Sequence, residues 1–189
     1  MHPKPADPFE EDTDKRAPVP FAIGFERANG EALVYGSMVL GVIFLGVSFA
    51  AGIPLLAIAA LVPLGIAFWH YPMVEKQQPQ LGANEDGLFV ERIGFIGWGS
   101  IRSLDIKRTN VRSITVTTLN ILLNRGLDAS VTKRQKFPLW KRIMIRNWKL
   151  HHREHGRDMI SVRLHTLTTQ PDEVLDKIMA FERTRPLTG

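Results

Sequence analysis

The chain has 189 residues, a formal net charge of +5 and no cysteine. The lack of cysteine excludes a disulfide framework, a thiol nucleophile and a thiolate metal site. Positions 1–30 carry acidic side chains throughout and no short apolar stretch with a cleavage site, so we expect no secretory signal peptide there.

The N-terminal region, positions 1–30, is rich in proline and in acidic side chains. Pro3, Pro5, Pro8, Pro18 and Pro20 surround an acidic stretch at positions 10–14. Such a composition buries too little apolar surface to offset the entropy of ordering. We therefore predict a disordered, acidic, proline-rich cytoplasmic tail over 1–30, either a solvated leader or the carrier of a short docking motif.

A long run without any charged side chain extends from Ala32 to Trp69 and is broken near its middle at Gly52-Ile53-Pro54. A bilayer core of roughly 30 Å needs about 20 helical residues, so the run fits two spans better than one. We predict a transmembrane helical hairpin over 31–72, with spans at about 32–51 and 53–71. The alternative, a hairpin buried in a soluble core, would need a polar face on one helix, and neither half has one.

Aromatic and basic residues indicate how the hairpin is oriented. Tyr35, Trp69 and Tyr71 lie at the outer ends of the run, which share one leaflet in a hairpin, and they predict an interface belt. Lys and Arg are absent from the loop between the spans and plentiful after the second span. Both termini are therefore expected to be cytoplasmic.

Small residues recur at four-residue spacing in the first span, as Ser37 with Gly41 and as Gly46 with Ala50. This spacing lets two helices approach closely. It predicts packing of the two spans on each other or contact with another membrane protein. Because no ionisable group lies inside either span, we do not expect an ion or proton path through this chain alone.

The region after the hairpin, 73–189, is long enough for one small core, and its first part has a strand pattern. Short strands are predicted where apolar residues recur with a two-residue period, at 87–91, 102–107, 111–118 and 159–165.

A helix is predicted at 171–183. Thr169 can cap it, and Pro171 and Asp172 suit its first turn. Its apolar stripe must pack on a sheet and comprises Val174, Leu175, Ile178 and Phe181.

Two short sequence motifs in this region resemble those of a known protein family. Gly97-Trp98-Gly99-Ser100-Ile101 follows a strand that begins Gly87-Leu88, and Thr169-Gln170-Pro171-Asp172-Glu173 leads from the last strand into the last helix. A chain in which these two motifs follow a helical hairpin in this order resembles bacterial membrane proteins with two transmembrane helices and a cytoplasmic pleckstrin-homology-like (PH-like) domain. The resemblance covers 31 to about 118 and 158 to 184.

The resemblance implies a membrane α+β fold, in which the hairpin precedes a small antiparallel PH-like β-sandwich or barrel with a C-terminal capping helix. It also implies a location in the bacterial inner membrane and a non-enzymatic binding or scaffolding role. Trp98 is expected to be a core anchor, with an exposed recognition residue as the alternative.

A basic insert interrupts the resemblance at about 119–157. The stretch 92–163 holds 16 Lys and Arg against four acids, a local net charge of +12, so the rest of the chain is acidic. Such asymmetry bears on partners rather than on fold.

The spacing of bases within the insert predicts an amphipathic helix over 139–153. The candidate lipid or partner contacts are Arg142, Arg146, Lys149, Arg153, Trp140 and Trp148. Such a helix could lie in the headgroup plane of an anionic membrane, cover the domain's own sheet, or dock a protein.

A zinc protease and a nucleic-acid binder fit the sequence less well. His151-His152-Arg153-Glu154-His155 matches an inverted zinc-protease pattern, but Gly156 would stop the helix and the neighbouring arginines would repel a cation. Nucleic-acid binding is not expected, because no aromatic strand platform or reading helix is evident. We predict no catalytic, metal or cofactor site.

The sequence thus predicts a membrane-anchored, non-enzymatic adaptor or scaffold. Its cytoplasmic domain would bind a protein partner, anionic lipid headgroups, or both. The alternative is an accessory or assembly subunit of a larger inner-membrane complex, held through the transmembrane hairpin.

Overall fold

The computed structural model describes residues 18–75, 78–111, 114–153 and 156–183, and positions 1–17 of the predicted tail lie outside this part of the chain. In the described part, two long apolar helices precede two antiparallel sheets, so the fold is α+β.

The two long helices form the predicted hairpin. Helix α1 comprises Arg27–Ala51 and helix α2 comprises Pro54–His70. Gly52 ends α1 in the left-handed region with φ 65°, where a side chain would be strained, and Pro54 suits the first turn of α2. The predicted break is confirmed, although α1 begins at Arg27, before the predicted start of the span at Ala32.

The first sheet contains five strands in the order β1-β2-β3-β4-β7. Their bounds are β1 Phe21–Ile23, β2 Leu81–Asn84, β3 Gly87–Val90, β4 Gly94–Ile96 and β7 Val131–Arg134. Strand β1 pairs antiparallel with β2, and Ile23 is opposite Leu81. The hairpin is therefore an insertion between two neighbouring strands, and both of its ends are attached to the same sheet.

The second sheet contains four strands in the order β5-β6-β9-β8. Their bounds are β5 Ile101–Val111, β6 Ile114–Leu123, β8 Trp148–His152 and β9 Asp158–Arg163. The predicted strands at 87–91, 102–107 and 159–165 are confirmed with shifted ends. Of the predicted strand at 111–118, the part from Ile114 lies in β6, whereas Val111 ends β5 and positions 112 and 113 lie outside the described residues. In β9 the predicted alternation is present, with Ile160 and Val162 buried.

Within the described residues, short helical pieces lie between the longer elements and precede the C-terminal helix. They are the 3₁₀ turns Tyr71–Met73, Trp98–Ser100 and Leu139–Ile143 and the single α-turn α3 Leu127–Ser130. Helix α4, Pro171–Arg183, has the predicted bounds and packs against β2. Val174, Ile178 and Phe181 of its apolar stripe are buried in the core between the sheets, whereas Leu175 is half-buried.

The structure corrects two predictions. The predicted tail over 1–30 is wrong for 21–30, because Phe21–Ile23 is an edge strand and α1 begins at Arg27. The domain therefore includes residues before the hairpin as well as residues after it.

The predicted helix over 139–153 is also wrong. Only Leu139–Ile143 is helical, as a 3₁₀ turn, and Trp148–His152 is strand β8. Strand β8 pairs with the next strand along the chain, β9, so strand pairing within the second sheet overrides the helical spacing of the bases.

Candidate functional site

The face that joins the two long helices uses some of the predicted small residues. A Cβ at Gly41 would lie 2.6 Å from Leu64 Cγ, so α1 and α2 touch where only glycine fits. Ser37 is half-buried on the same side of α1. Gly46 and Ala50 face outward, and a Cβ at Gly46 would meet nothing within 4 Å.

The rest of the hairpin surface is apolar and exposed. The segments Gly30–Ala51 and Pro54–Met73 are long and apolar enough to span a membrane. Tyr35, Trp69 and Tyr71, the predicted interface belt, are all exposed.

The Leu139–Ile143 turn lies beside the end of α2. The rings of Trp140 and Phe68 are 6.4 Å apart, and the backbone N–H of Ile145 donates to the carbonyl oxygen of Trp69 at 3.0 Å. Leu139, Trp140 and Ile143 are 72%, 47% and 59% exposed. The basic insert therefore places an apolar surface next to the hairpin.

A buried ion pair holds the inner side of this turn. Lys141 Nζ contacts both carboxylate oxygens of Glu75 at 2.6 and 2.7 Å, and their side chains are only 9% and 19% exposed. Met144, one residue past the turn, is buried. Because Lys141 and Met144 point inward, the three apolar side chains of the turn point outward.

A second buried ion pair fixes the residues that follow the turn. Arg92 has φ 67°, an uncommon conformation for a residue with a side chain. Its guanidinium donates to the carbonyl oxygens of Met144 at 3.0 Å and Ile145 at 2.6 Å, and to Glu91 Oε1 at 3.1 Å. The Trp148 indole donates to the carbonyl oxygen of Glu91 at 2.7 Å.

Burial in this arrangement is electrostatically unfavourable for the Glu91 carboxylate. Burial raises the pKa of its carboxyl, and the neighbouring Arg92 guanidinium opposes that rise. Its Oε2 atom has no hydrogen-bond partner within the described residues. An unpaired buried carboxylate oxygen costs free energy, which offsets part of the stabilisation that the ion pair contributes.

The six predicted contact residues do not share one face. Arg142 and Arg146 are exposed and line a cavity of about 670 Å³ together with Trp148. Arg146 lies over the Trp148 ring at 4.9 Å. Lys149 and Arg153 instead line a separate surface on the second sheet.

This second basic surface is the outer side of the β5-β6-β9-β8 sheet. Lys107, Lys149, Arg153 and Arg163 border a shallow cavity there of about 510 Å³. Its other lining side chains are polar or sulfur-containing, and none is aromatic or acidic apart from the imidazole of His151. The surface is suited to acidic groups and offers no Phe, Tyr or Trp on which a base could stack.

The histidine-rich stretch forms part of β8 rather than a helix. Successive residues of a strand point to opposite faces, so His151 and His152 do not share one. Glu154 and His155 lie outside the described residues. Within residues 18–75, 78–111, 114–153 and 156–183, no group of three or more His, Asp and Glu is placed to hold a metal ion.

One of these histidines has a structural partner. His152 Nδ1 lies 2.8 Å from Asp158 Oδ1, and the backbone N–H of Leu127 donates to Asp158 Oδ2 at 2.7 Å. The Leu127 hydrogen bond, with a smaller contribution from His152, lowers the pKa of the Asp158 carboxyl. Asp158 therefore connects α3 to the start of β9.

Trp98 is a core anchor, as expected. Its ring stacks on Phe181 at 6.0 Å, and its indole N–H donates to the carbonyl oxygen of Asn84 at 2.9 Å. It is half-buried against the core, and it connects the glycine-rich turn in which it lies to helix α4.

Sequence reasoning missed the residues that attach the insert to the hairpin. Glu75 lies just after the second apolar run, and an acidic side chain at that boundary was the available signal. Arg92 offered none, because its role depends on carbonyl groups at Met144 and Ile145, far along the chain.

Comparison with known proteins identifies no relative of the chain. The chain matches no protein-family model, and no curated protein and no solved structure matches it significantly.

Proposed function

We propose that this chain is a non-enzymatic, membrane-anchored adaptor of the bacterial inner membrane. The hairpin spans the bilayer with both termini cytoplasmic, and the PH-like domain binds anionic lipid headgroups, a protein partner, or both. The two antiparallel sheets, with the C-terminal helix packed into the core between them, support the PH-like assignment.

One observation carries this proposal: the basic insert is attached to the end of α2. The hydrogen bond from Ile145 to Trp69 and the Glu75–Lys141 ion pair hold the domain at that end of the hairpin. Arg142 and Arg146 are exposed beside these contacts. Each base near an anionic membrane surface contributes about 1 kcal/mol to binding.

In this proposal, the second basic surface binds the protein partner. Lys107, Lys149 and Arg163 lie on a sheet face that is separate from the Arg142 and Arg146 side chains. An acidic partner segment would complement this charge.

Hydrogen exchange of the full chain in lipid nanodiscs tests the lipid contact. We expect the segment 133–147 to exchange more slowly in nanodiscs with anionic lipid than in zwitterionic ones. The double variant Arg142→Ser with Arg146→Ser should lose this difference. The matched double variant Lys149→Ser with Arg153→Ser removes the same charge from the other surface and should keep it. Equal exchange in both lipids for the unmodified chain contradicts the lipid contact.

Reporter fusions test the orientation. A reporter at the N-terminus or after Gly189 should be active only in the cytoplasm, and one inserted at Ile53 only outside it. An exported reporter at either terminus contradicts the proposal.

An accessory subunit held through the hairpin is the second candidate. The observation that favours it is that Gly46 and Ala50 face outward on α1, away from α2. Gly46→Leu would then abolish association with the larger complex, whereas it would leave an adaptor's association with its partner unchanged.

A further inference from the structure

The exposed apolar side chains of the domain are concentrated in one place. Outside the hairpin and the Tyr71–Met73 turn, the large apolar residues that are exposed among the described residues are Val19, Leu139, Trp140 and Ile143. Three of the four belong to the single turn Leu139–Ile143. Soluble domains seldom leave such a cluster uncovered without an interaction that uses it.

The position of this turn points to its partner. Trp140 contacts Phe68, which lies inside the segment that is apolar enough to span a membrane. The residue that follows Phe68 accepts the hydrogen bond from Ile145. The exposed surface of the turn is therefore continuous with the apolar surface of the hairpin.

The turn is also held rigidly in one orientation. Its N–H and carbonyl groups close it locally, since Lys141 donates to Pro138 at 3.1 Å and Met144 donates to Lys141 at 3.3 Å. Glu75 holds Lys141 from the inside. Consequently the outward direction of Leu139, Trp140 and Ile143 does not depend on a partner.

The side chains around the turn fit the boundary of a bilayer. Arg142 and Arg146 are exposed at its edge, where guanidinium groups can meet lipid phosphates. Trp140 is a residue type that favours the headgroup level. Apolar side chains, an indole and flanking bases in one small segment match an interfacial membrane contact.

We infer that the Leu139–Ile143 turn is a third membrane contact, which inserts Leu139, Trp140 and Ile143 into the interfacial layer of the bilayer that the hairpin spans. This inference rests on the proposed membrane anchorage. It assigns a lipid surface, rather than a second copy or a protein partner, to the apolar side of the insert. Insertion would restrict how the domain rotates about the hairpin.

Spin labelling of the full chain in nanodiscs tests the inference, and the lack of native cysteine makes single labels unambiguous. Labels at Leu139→Cys and Ile143→Cys report on the turn. Leu61→Cys, exposed in the middle of α2, reports on the bilayer, and Glu85→Cys, in the turn at the end of β2 away from the hairpin, reports on water. The measurement is the collision rate of each label with oxygen, which concentrates in lipid, and with a water-soluble nickel chelate.

We expect the labels at positions 139 and 143 to favour oxygen over the nickel chelate, as at position 61, and position 85 to show the reverse. Labels at 139 and 143 that favour the nickel chelate while position 61 favours oxygen would overturn the inference and leave the anchorage intact. Labels shielded from both reagents would mean a protein contact and would equally overturn it. A label at position 61 that favours the nickel chelate would refute the anchorage itself, and the inference with it.

Discussion

The Arg92 guanidinium donates from Nη2 to the carbonyl oxygen of Ile145 at 2.6 Å, joining two parts of the chain that are far apart in sequence. This hydrogen bond and the one to Met144 place the end of the 139–143 turn on the first sheet. Since Ile145 also donates to Trp69, one short segment connects the sheet with the hairpin.

Replacing Arg92 should detach this segment. Arg92→Met removes both hydrogen bonds to the insert and leaves Glu91 as a buried carboxylate without its cation. Breaking a buried ion pair in this way costs about 3–5 kcal/mol. We expect a lower unfolding midpoint in detergent and faster hydrogen exchange in the segment 139–147. Arg102→Met, at an exposed position on β5, is the control and should change neither quantity.

The Glu75–Lys141 ion pair should show charge-swap rescue. Lys141→Glu would place two carboxylates together in a largely buried site, and we expect it to destabilise the chain by about 3 kcal/mol. Adding Glu75→Lys should restore part of that loss, because opposite charges again face each other. Thermal unfolding of the single and double variants measures the coupling. No recovery in the double variant would show that the pair does not act as a unit.

Two glycines of α1 should respond differently to the same substitution. Gly41→Leu forces a side chain against Leu64, and overpacking of this kind costs about 1–3 kcal/mol. Gly46→Leu meets open space and should leave the hairpin intact. Protease resistance of the hairpin in detergent distinguishes them. Equal damage by both substitutions would contradict the observed helix-helix face.

Trp98 should be important for the stability of the domain. Trp98→Ala removes the stacking on Phe181 and the hydrogen bond to Asn84, and large-to-small changes of this type cost about 3–5 kcal/mol. Trp98→Phe keeps an aromatic ring and loses the hydrogen bond to Asn84, so its loss of stability should be smaller. Near-ultraviolet circular dichroism and unfolding midpoints provide the measurement, and a neutral Trp98→Ala would contradict the anchoring role.

Asp158 should make the stability of the folded chain depend on pH in the acidic range. Because its pKa is lowered in the folded chain, its contribution is complete above the ordinary value of 3.8 and is lost as pH falls through the lower folded pKa. Asp158→Asn keeps an acceptor for Leu127 but cannot titrate. We expect the stability difference between the unmodified chain and this variant to shrink below about pH 3.8. A difference that grows as the pH falls would contradict the assignment.

Much of the architecture could be predicted because the relevant patterns are local. The uncharged run and its Gly-Ile-Pro break indicated two helices, and the alternation in β9 and the stripe of α4 indicated their elements. The run is recognised from its lack of charge and its break, whereas the patterns in β9 and α4 report which side of each element is apolar.

The insert shows where local patterns fail. Arg142, Arg146, Lys149 and Arg153 are spaced as on one helix face, but the last two belong to β8 and the loop after it. Strand β8 forms because β9 offers a pairing edge and Glu91 accepts the Trp148 N–H. The spacing of bases carries no information on either partner, so it could not reveal the division into two surfaces.

The sequence by itself determined that the chain has two apolar helices and a strand-rich region that ends in an amphipathic helix, because hydrophobic periodicity acts within a few residues. Only the tertiary structure decided that Phe21–Ile23 completes the first sheet, that the hairpin is inserted between paired strands, and that the 139–143 turn faces the hairpin. These outcomes depend on strand pairing and buried ion pairs between residues far apart in the chain, whose energies no local pattern contains.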